Sequence, residues 1–167
     1  FTYLKKLSQK YNIPIIEDAA QSFGAKFDNN FSCNLSLIGC TSFYPSKSLG
    51  AYGDAGAIFT NGKRIYEKIK QLRNHGQKIK NYHNYIGTSS RLDTLQASIL
   101  LAKFEKFDNE ILNRIKVAKI YNKYFNDFGI KYLKAPSNFI VTYSQYPILI
   151  KNRKLLINLF KKEKIPY

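Results

Sequence analysis

The spacing of hydrophobic residues predicts that helices and short strands alternate along the chain. Apolar positions recur every three or four residues in 3–11, 63–74 and 154–164, which is typical of helices that bury one face. Short apolar runs at 13–17, 39–44, 57–60 and 140–150 predict strands, and the first of these is expected to be buried. This order of elements predicts an α/β domain whose functional loops follow the carboxyl ends of its strands.

The longest predicted element is a helix that begins at Ser90 and is ended by Gly129. Ser90 followed by Asp93 resembles a capping box, with Asp in place of the usual Glu. A break in this helix is allowed near residues 108–109. Residues 75–89 are polar, aromatic and irregularly spaced, so they predict a long functional loop.

The net charge changes the set of expected partners only slightly. The chain has 27 Lys and Arg against 11 Asp and Glu, a formal net charge of +16, which would favour nucleic acid or an anionic surface. However, the lysines are spread along the chain without an Arg-rich block, as in proteins from AT-rich genomes. A nucleic-acid-binding module therefore stays as the less favoured alternative, and a basic surface would also attract a diphosphate substrate.

Cysteine content and chain ends suggest the compartment and the completeness of the chain. Cys33 and Cys40 are too few for a disulfide framework or a zinc site, and no metal site is predicted. No apolar run reaches the roughly 18 residues that span a membrane, so we expect a cytoplasmic protein. The chain begins with Phe1 and contains no Met, so we expect it to be the central piece of a longer protein.

Four polar residues lie at or just beyond the ends of two predicted strands. They are Asp18, Gln21, Ser42 and Lys47. A pyridoxal phosphate site requires a carboxylate, an amide, a hydroxyl and an amine. The amine binds the aldehyde, the carboxylate keeps the ring nitrogen protonated, and the hydroxyl binds the phosphate. Each residue alone is more often an ordinary turn or surface residue, so the spacing leaves both interpretations open.

Four sequence blocks in a fixed order resolve this ambiguity. They are IIEDAAQSFGA (15–25), TSFYPSKSLG (41–50) with GDAGA (53–57), LRNHG (72–76) and SRLDTLQA (90–97). These blocks resemble those of the DegT/StrS-like sugar-nucleotide aminotransferases, which are pyridoxal-phosphate-dependent enzymes of fold type I. The resemblance extends over essentially the whole chain.

The resemblance implies an α/β fold in two parts. Residues 1–107 would form part of the cofactor-binding large domain, with a mixed or mostly parallel sheet flanked by helices and an N-terminal part missing. Residues 108–167 would continue the long helix and begin a truncated small α+β domain.

Site roles follow from the resemblance by position. Lys47 is the expected catalytic lysine, which binds the cofactor and moves a proton at the substrate carbon. Asp18 is expected to pair with the ring nitrogen, Gln21 to lie beside the ring hydroxyl, and Ser42 to bind the phosphate.

The resemblance also implies a homodimer, because in this family the neighbouring subunit completes the phosphate site. It does so through the loop before the long helix, which here is 87–91, so Arg91 is a further candidate for cofactor binding. Ser89 stands where the family often has Asn, and Ala55 where a second glycine is common.

The implied reaction transfers an amino group from an amino acid, expected to be glutamate, to a keto group of a nucleotide-diphosphate sugar. Such reactions belong to lipopolysaccharide, glycan or antibiotic sugar biosynthesis. The presence of Lys47 favours transamination over the related dehydratases, which carry histidine at that position. An inactive fragment or relic of such an enzyme is the alternative, because the family's phosphate loop and ring-stacking residue lie in a preceding segment.

Overall fold

The computed structural model describes all residues from Phe1 to Tyr167. Five helices and ten short strands follow one another as α1 Thr2–Tyr11, β1 Ile16–Asp18, β2 Lys26–Phe27, β3 Asn30–Phe31, β4 Ile38–Ser42, β5 Gly56–Phe59, α2 Lys63–Arg73, β6 Gln77–Ile79, β7 Tyr82–His83, α3 Thr94–Phe104, α4 Phe107–Asp127, β8 Lys131–Tyr132, β9 Phe139–Ile140, β10 Ile148–Leu149 and α5 Arg153–Lys162. The α/β class and the mixed sheet predicted from the sequence are confirmed. None of these helices is both long and apolar enough to cross a membrane.

A three-stranded sheet with the order β1-β4-β5 forms the centre of the fold. Strands β1 and β4 are parallel, whereas β4 and β5 are antiparallel. Strand β2 pairs with both β3 and β9, which brings residues 139–140 beside residues 26–27. The remaining strands form two small antiparallel pairs, β6 with β7 and β8 with β10.

The predicted helices at both ends and after β5 are confirmed, whereas the long helix begins later than predicted. Helix α3 begins at Thr94, and Asp93 is its N-cap, with its carboxylate accepting a hydrogen bond from the Leu95 amide. Ser90 belongs to the preceding segment, since its amide donates to the Arg73 carbonyl. The break that was allowed near residues 108–109 is present and falls a few residues earlier, between Phe104 and Phe107.

Two further predictions need correction. The segment 75–89 contains the hairpin β6–β7 instead of being wholly irregular. The strand expected within 140–150 is reduced to β9 and β10, because Tyr143 has a φ of 48° and interrupts the extended backbone between them.

Strand β1 is also more exposed than its apolar sequence predicts. Ile16 is 64% exposed, since β1 lies at the edge of the sheet and has β4 as its only neighbour. Across the whole chain, 16 of 167 residues are buried, so apolar side chains remain at the surface in unusual number.

The hydrophobic core lies between β4, the loop that follows it, and helices α3 and α4. Its buried members are Phe43, Leu49, Ala51, Leu100, Phe107 and Ile111, with Phe23, Ala55, Ala57 and Ile115 packed against them. Gly24 is essential to this packing, because its φ is +87° and a Cβ there would lie 2.6 Å from Ile111 Cδ1. The core thus fixes the loop that follows β4 against helices α3 and α4.

Candidate functional site

The carboxyl ends of β1 and β4 place two of the predicted residues on one face of the sheet. Asp18 is the register partner of Cys40, and Ser42 lies two residues further along β4. Because alternate residues of a strand share a face, Asp18, Cys40 and Ser42 point the same way. The intervening Thr41 is buried on the opposite side, where its hydroxyl donates to the Ala19 carbonyl at 3.1 Å.

The Asp18 carboxylate is partly fixed and partly free. Its Oδ1 accepts a hydrogen bond from the Ala20 amide at 3.0 Å, which orients the side chain at the start of the 19–24 turn. The residue is exposed, and its second oxygen has no donor within the chain. That oxygen can therefore accept a proton or a hydrogen bond from a ligand.

Lys47 lies in a tight loop directly after β4. The Lys47 amide donates to the Tyr44 carbonyl at 2.8 Å, and the Ala51 amide closes the loop by donating to the Phe43 carbonyl at 2.8 Å. The buried Gly50 lies so close to Pro45 that a Cβ would meet the Pro45 carbonyl oxygen at 2.5 Å. Lys47 itself is half-buried, and its loop lies directly beyond the carboxyl end of β4.

An open cavity of about 540 Å³ joins the Lys47 loop to the segment before α3. Its lining consists of Ser42, Tyr44, Ser46, Lys47, Asp54, Ala55, Gly56, Ser90, Arg91 and Leu92. Ser42, Lys47 and Arg91 were singled out in the sequence, and the structure brings all three together. Asp18 and Gln21 are not part of this lining, although Asp18 shares the sheet face of Ser42.

Gln21 is the predicted residue that the structure associates least with Lys47. It is exposed in the turn after β1, and its carbonyl accepts a hydrogen bond from the Ser144 hydroxyl at 3.0 Å. This contact ties the turn to a segment more than a hundred residues later in the chain. The position of the Gln21 amide beside a ring hydroxyl remains a prediction.

Sequence reasoning missed Tyr44, Ser46, Asp54 and Ser90 as cavity residues. Each lies within or beside one of the blocks quoted above, so their proximity to Lys47 or Arg91 in sequence could have identified them. Asp54 adds a carboxylate to the same cavity as the Lys47 ammonium and the Arg91 guanidinium.

Arg91 is positioned by helix α2 of the same chain. Its Nη1 donates to Asn74 Oδ1 at 3.1 Å, at the end of that helix. The amides of Thr88 and Ser90 donate to the carbonyls of Leu72 and Arg73, both at 2.9 Å, and so fasten the segment that carries Arg91. Within one chain, this segment therefore lines the cavity that contains Lys47, whereas its expected role in a neighbouring subunit's site stays a prediction.

The chemistry of the cavity fits an anionic ligand with an electrophilic carbon. A guanidinium and a hydroxyl are suited to phosphate oxygens, and an amine can attack a carbonyl. No group of three or more His, Cys, Asp or Glu side chains lies close enough together to hold a metal ion.

The Cys33 thiol is part of the supporting structure beside the sheet. It is buried, and desolvation raises the pKa of its thiol above the ordinary value of 9.0, with the nearby Glu17 carboxylate adding to the rise. That carboxylate accepts hydrogen bonds from the amides of Cys33 at 3.0 Å and Leu35 at 3.3 Å. These contacts hold the 32–35 turn against β1.

Comparison with known proteins agrees with the geometry. The model of the DegT/DnrJ/EryC1/StrS aminotransferase family matches residues 1–167. A relative from Pseudomonas aeruginosa, the UDP-2-acetamido-2-deoxy-3-oxo-D-glucuronate aminotransferase, is 46% identical over 166 residues, which are 99% of this chain and 46% of the relative. The UDP-N-acetyl-3-dehydro-alpha-D-glucosamine 3-aminotransferase of Acidithiobacillus ferrooxidans is 35% identical over 88% of this chain and 40% of its own length.

Solved structures show the same fold. A family aminotransferase from Brucella abortus superposes with a TM-score of 0.96 at 35% identity, covering 99% of this chain and 44% of the other. DesV of S. venezuelae superposes with a TM-score of 0.88 at 28% identity, covering 96% of this chain and 43% of the other. This chain thus spans a little under half the length of the relatives that it matches.

Proposed function

Since this chain belongs to the DegT/DnrJ/EryC1/StrS aminotransferase family, we propose that it forms part of a pyridoxal-phosphate-dependent aminotransferase that acts on a nucleotide-linked keto sugar. The observation that carries the proposal is the single cavity that Lys47, Ser42 and Arg91 line together. Its volume of about 540 Å³ is in the range of ordinary small-molecule sites.

The residues at this edge of the sheet fit the cofactor group by group. When bound, pyridoxal phosphate supplies an electron-withdrawing ring that stabilises negative charge on the substrate carbon. Lys47 would hold its aldehyde carbon covalently, and Ser42 and Arg91 would bind its phosphate. Asp18 would keep a proton on its ring nitrogen.

Local hydrogen bonds leave the required atoms of Ser42 and Asp18 free. Ser42 Oγ accepts from the Tyr44 amide at 3.2 Å, so the hydroxyl hydrogen remains available to a phosphate oxygen. Asp18 uses one carboxylate oxygen for the Ala20 amide and keeps the other for the ring nitrogen. Lys47, once released as a free amine, would move the proton between substrate carbon and cofactor.

The relatives suggest the substrate class. Two of them are named as aminotransferases of UDP-linked 3-keto amino sugars or their acids. We therefore propose a UDP-linked sugar with a keto group at the third ring carbon as the acceptor and glutamate as the donor, in the synthesis of a surface polysaccharide. The basic net charge of +16 would favour the approach of this dianionic diphosphate.

The first experiment measures covalent cofactor attachment. The intact protein and its Lys47→Ala variant are incubated with pyridoxal phosphate, treated with borohydride and examined by absorbance and peptide mass spectrometry. We expect a reduced adduct on Lys47 in the parent and none in the variant. Lys63→Ala, which alters an exposed lysine of α2, is the matched control and should retain the adduct.

Absence of an adduct in the parent would favour the alternative, an inactive relic that keeps the sequence blocks without the chemistry. If the cofactor attaches to Lys47 but the protein does not turn over UDP- or dTDP-linked keto sugars, the substrate assignment would be refuted while the cofactor assignment would stand. The two results are therefore distinguishable.

We also propose that the protein is a homodimer in the cytoplasm. Many large apolar side chains are exposed in the single chain, among them Ile16 at 64% and Leu101 at 69%, and a subunit interface would cover such residues. The two cysteines are unpaired, as is usual in a reducing compartment. Sedimentation equilibrium of the intact protein tests the dimer, and a monomer at micromolar concentration would contradict it.

The division into two parts, residues 1–107 and 108–167, remains part of the proposal. Helix α4 begins at Phe107, immediately after the break that ends α3. Strand β9 of the second part pairs with β2 of the first part. If the division is correct, limited proteolysis should cut the chain at positions other than these two paired strands.

A further inference from the structure

Helix α3 makes three contacts with the loop that follows Lys47. Gln96 Oε1 accepts a hydrogen bond from the Tyr52 amide at 2.8 Å, across 44 residues of sequence. Lys103 Nζ donates to the Gly50 carbonyl, across 53 residues. The same ammonium lies 5.5 Å from the centre of the Tyr52 ring, a cation–π distance.

These contacts come from a single face of α3. Gln96, Leu100 and Lys103 are spaced by four and then three residues, so they lie in one row along the helix. Leu100, at the middle of the row, is 7% exposed and belongs to the same core cluster as Leu49 and Ala51 of the loop. The loop is thus held by an apolar contact at its centre and by a polar contact from each end of the row.

The loop is closely packed at Gly50. Gly50 packs directly on the Pro45 carbonyl, and a Cβ at Gly53 would meet Gln96 Nε2 at 3.3 Å. Gly50 is buried, so its carbonyl would lose its charged donor without gaining water if Lys103 were removed. Movement of Gly50 would be transmitted to Lys47, which is three residues earlier in the same turn.

We infer that Gln96 and Lys103 form a clamp that fixes the Lys47 loop, and that both are positioning residues for the aminotransferase reaction. The inference rests on the proposed function of Lys47. The clamp keeps the lysine amine at the cavity both while it is bound to the cofactor and while it is free to move a proton. Neither side chain lines the cavity, so neither is expected to touch the cofactor or the substrate.

The test combines amide hydrogen exchange with cofactor attachment in the intact protein. Lys103→Met and Gln96→Leu remove the polar contacts while keeping side-chain volume, and Gln96→Glu keeps an acceptor for the Tyr52 amide. Lys116→Met makes the same change at an exposed lysine of α4 and is the matched control. Exchange in peptides covering 48–54 and α3 is measured without cofactor, followed by the rate of borohydride-trapped attachment to Lys47.

We expect Lys103→Met and Gln96→Leu to raise exchange in 48–54 by about tenfold or more while α3 stays protected. Attachment to Lys47 should slow in the same two variants. Gln96→Glu and Lys116→Met should behave like the parent.

Unchanged exchange in 48–54 in both clamp variants would overturn the inference. So would an equal rise in α3, since that result would mean a general loss of packing. If Lys103→Met does not fold, the comparison of Gln96→Leu with Gln96→Glu still decides the matter. Failure of the parent to bind the cofactor would instead overturn the proposed function, because the exchange measurement needs no cofactor.

Discussion

Substitution of Gly50 by alanine tests how tightly the Lys47 loop is packed. An alanine Cβ would lie 2.5 Å from the Pro45 carbonyl oxygen, 2.9 Å from the Pro45 carbonyl carbon and 3.0 Å from the Tyr44 carbonyl oxygen. These neighbours are backbone atoms, so the steric clash can be relieved only if the loop itself moves by several tenths of an ångström or more. Overpacking of this kind costs about 1–3 kcal/mol of unfolding free energy.

The assay is urea denaturation of the intact protein, paired with borohydride-trapped attachment of pyridoxal phosphate to Lys47. Gly50→Ala should lower the free energy of unfolding by about 1–3 kcal/mol and reduce attachment, because the displaced segment carries the lysine. Gly53→Ala is the control in the same loop. Its Cβ would approach only the flexible end of Gln96, at 3.3 Å, so a smaller loss is expected.

Equal behaviour of Gly50→Ala and the parent in both measurements would refute this reasoning. A loss of stability without any loss of attachment would refute the part that links the loop to Lys47. A larger effect for Gly53→Ala than for Gly50→Ala would show that contact with α3, rather than with Pro45, limits the space.

Three further predictions concern the supporting structure. The pKa of the Cys33 thiol is raised above its ordinary value of 9.0, so its contribution to the free energy of unfolding is fully present below pH 9.0 and is lost as the pH rises through the raised value. Urea denaturation from about pH 8 upward should therefore show a steeper loss of stability in the parent than in Cys33→Ala, and equal slopes would contradict the burial argument. Phe107 is 3% exposed, so Phe107→Ala should cost about 3–5 kcal/mol, whereas Phe104→Ala, at a position 56% exposed, should cost much less in the same assay. Asp93→Ala should cost about 1 kcal/mol through loss of the α3 cap, measured by thermal unfolding; Asp93→Asn should retain the stability, and a neutral alanine would argue against the cap.

The helices could be predicted well because their causes are local. The apolar spacing of α1, α2 and α5 repeats within each turn, and Asn12 ends α1 in the left-handed conformation that suits a short polar residue. Strand predictions were less accurate. The run at 13–17 was interpreted as a buried strand. Burial depends on what packs against the strand, however, and the residues of 13–17 cannot show that β1 lies at the edge of the sheet.

The sequence by itself determined the family, the order of α1, β1, β4, β5 and α2, and the identity of the candidate cofactor residues, because short blocks around Asp18, Ser42 and Lys47 carry that information locally. Only the tertiary structure decided that Asp18 and Ser42 share a sheet face, since that depends on the β1–β4 register. It also decided that Arg91 joins Lys47 at one cavity and that Gln96 and Lys103 hold the Lys47 loop. Such contacts connect residues about 40 to 50 positions apart, and chain packing, rather than the periodicity of any one segment, brings them together.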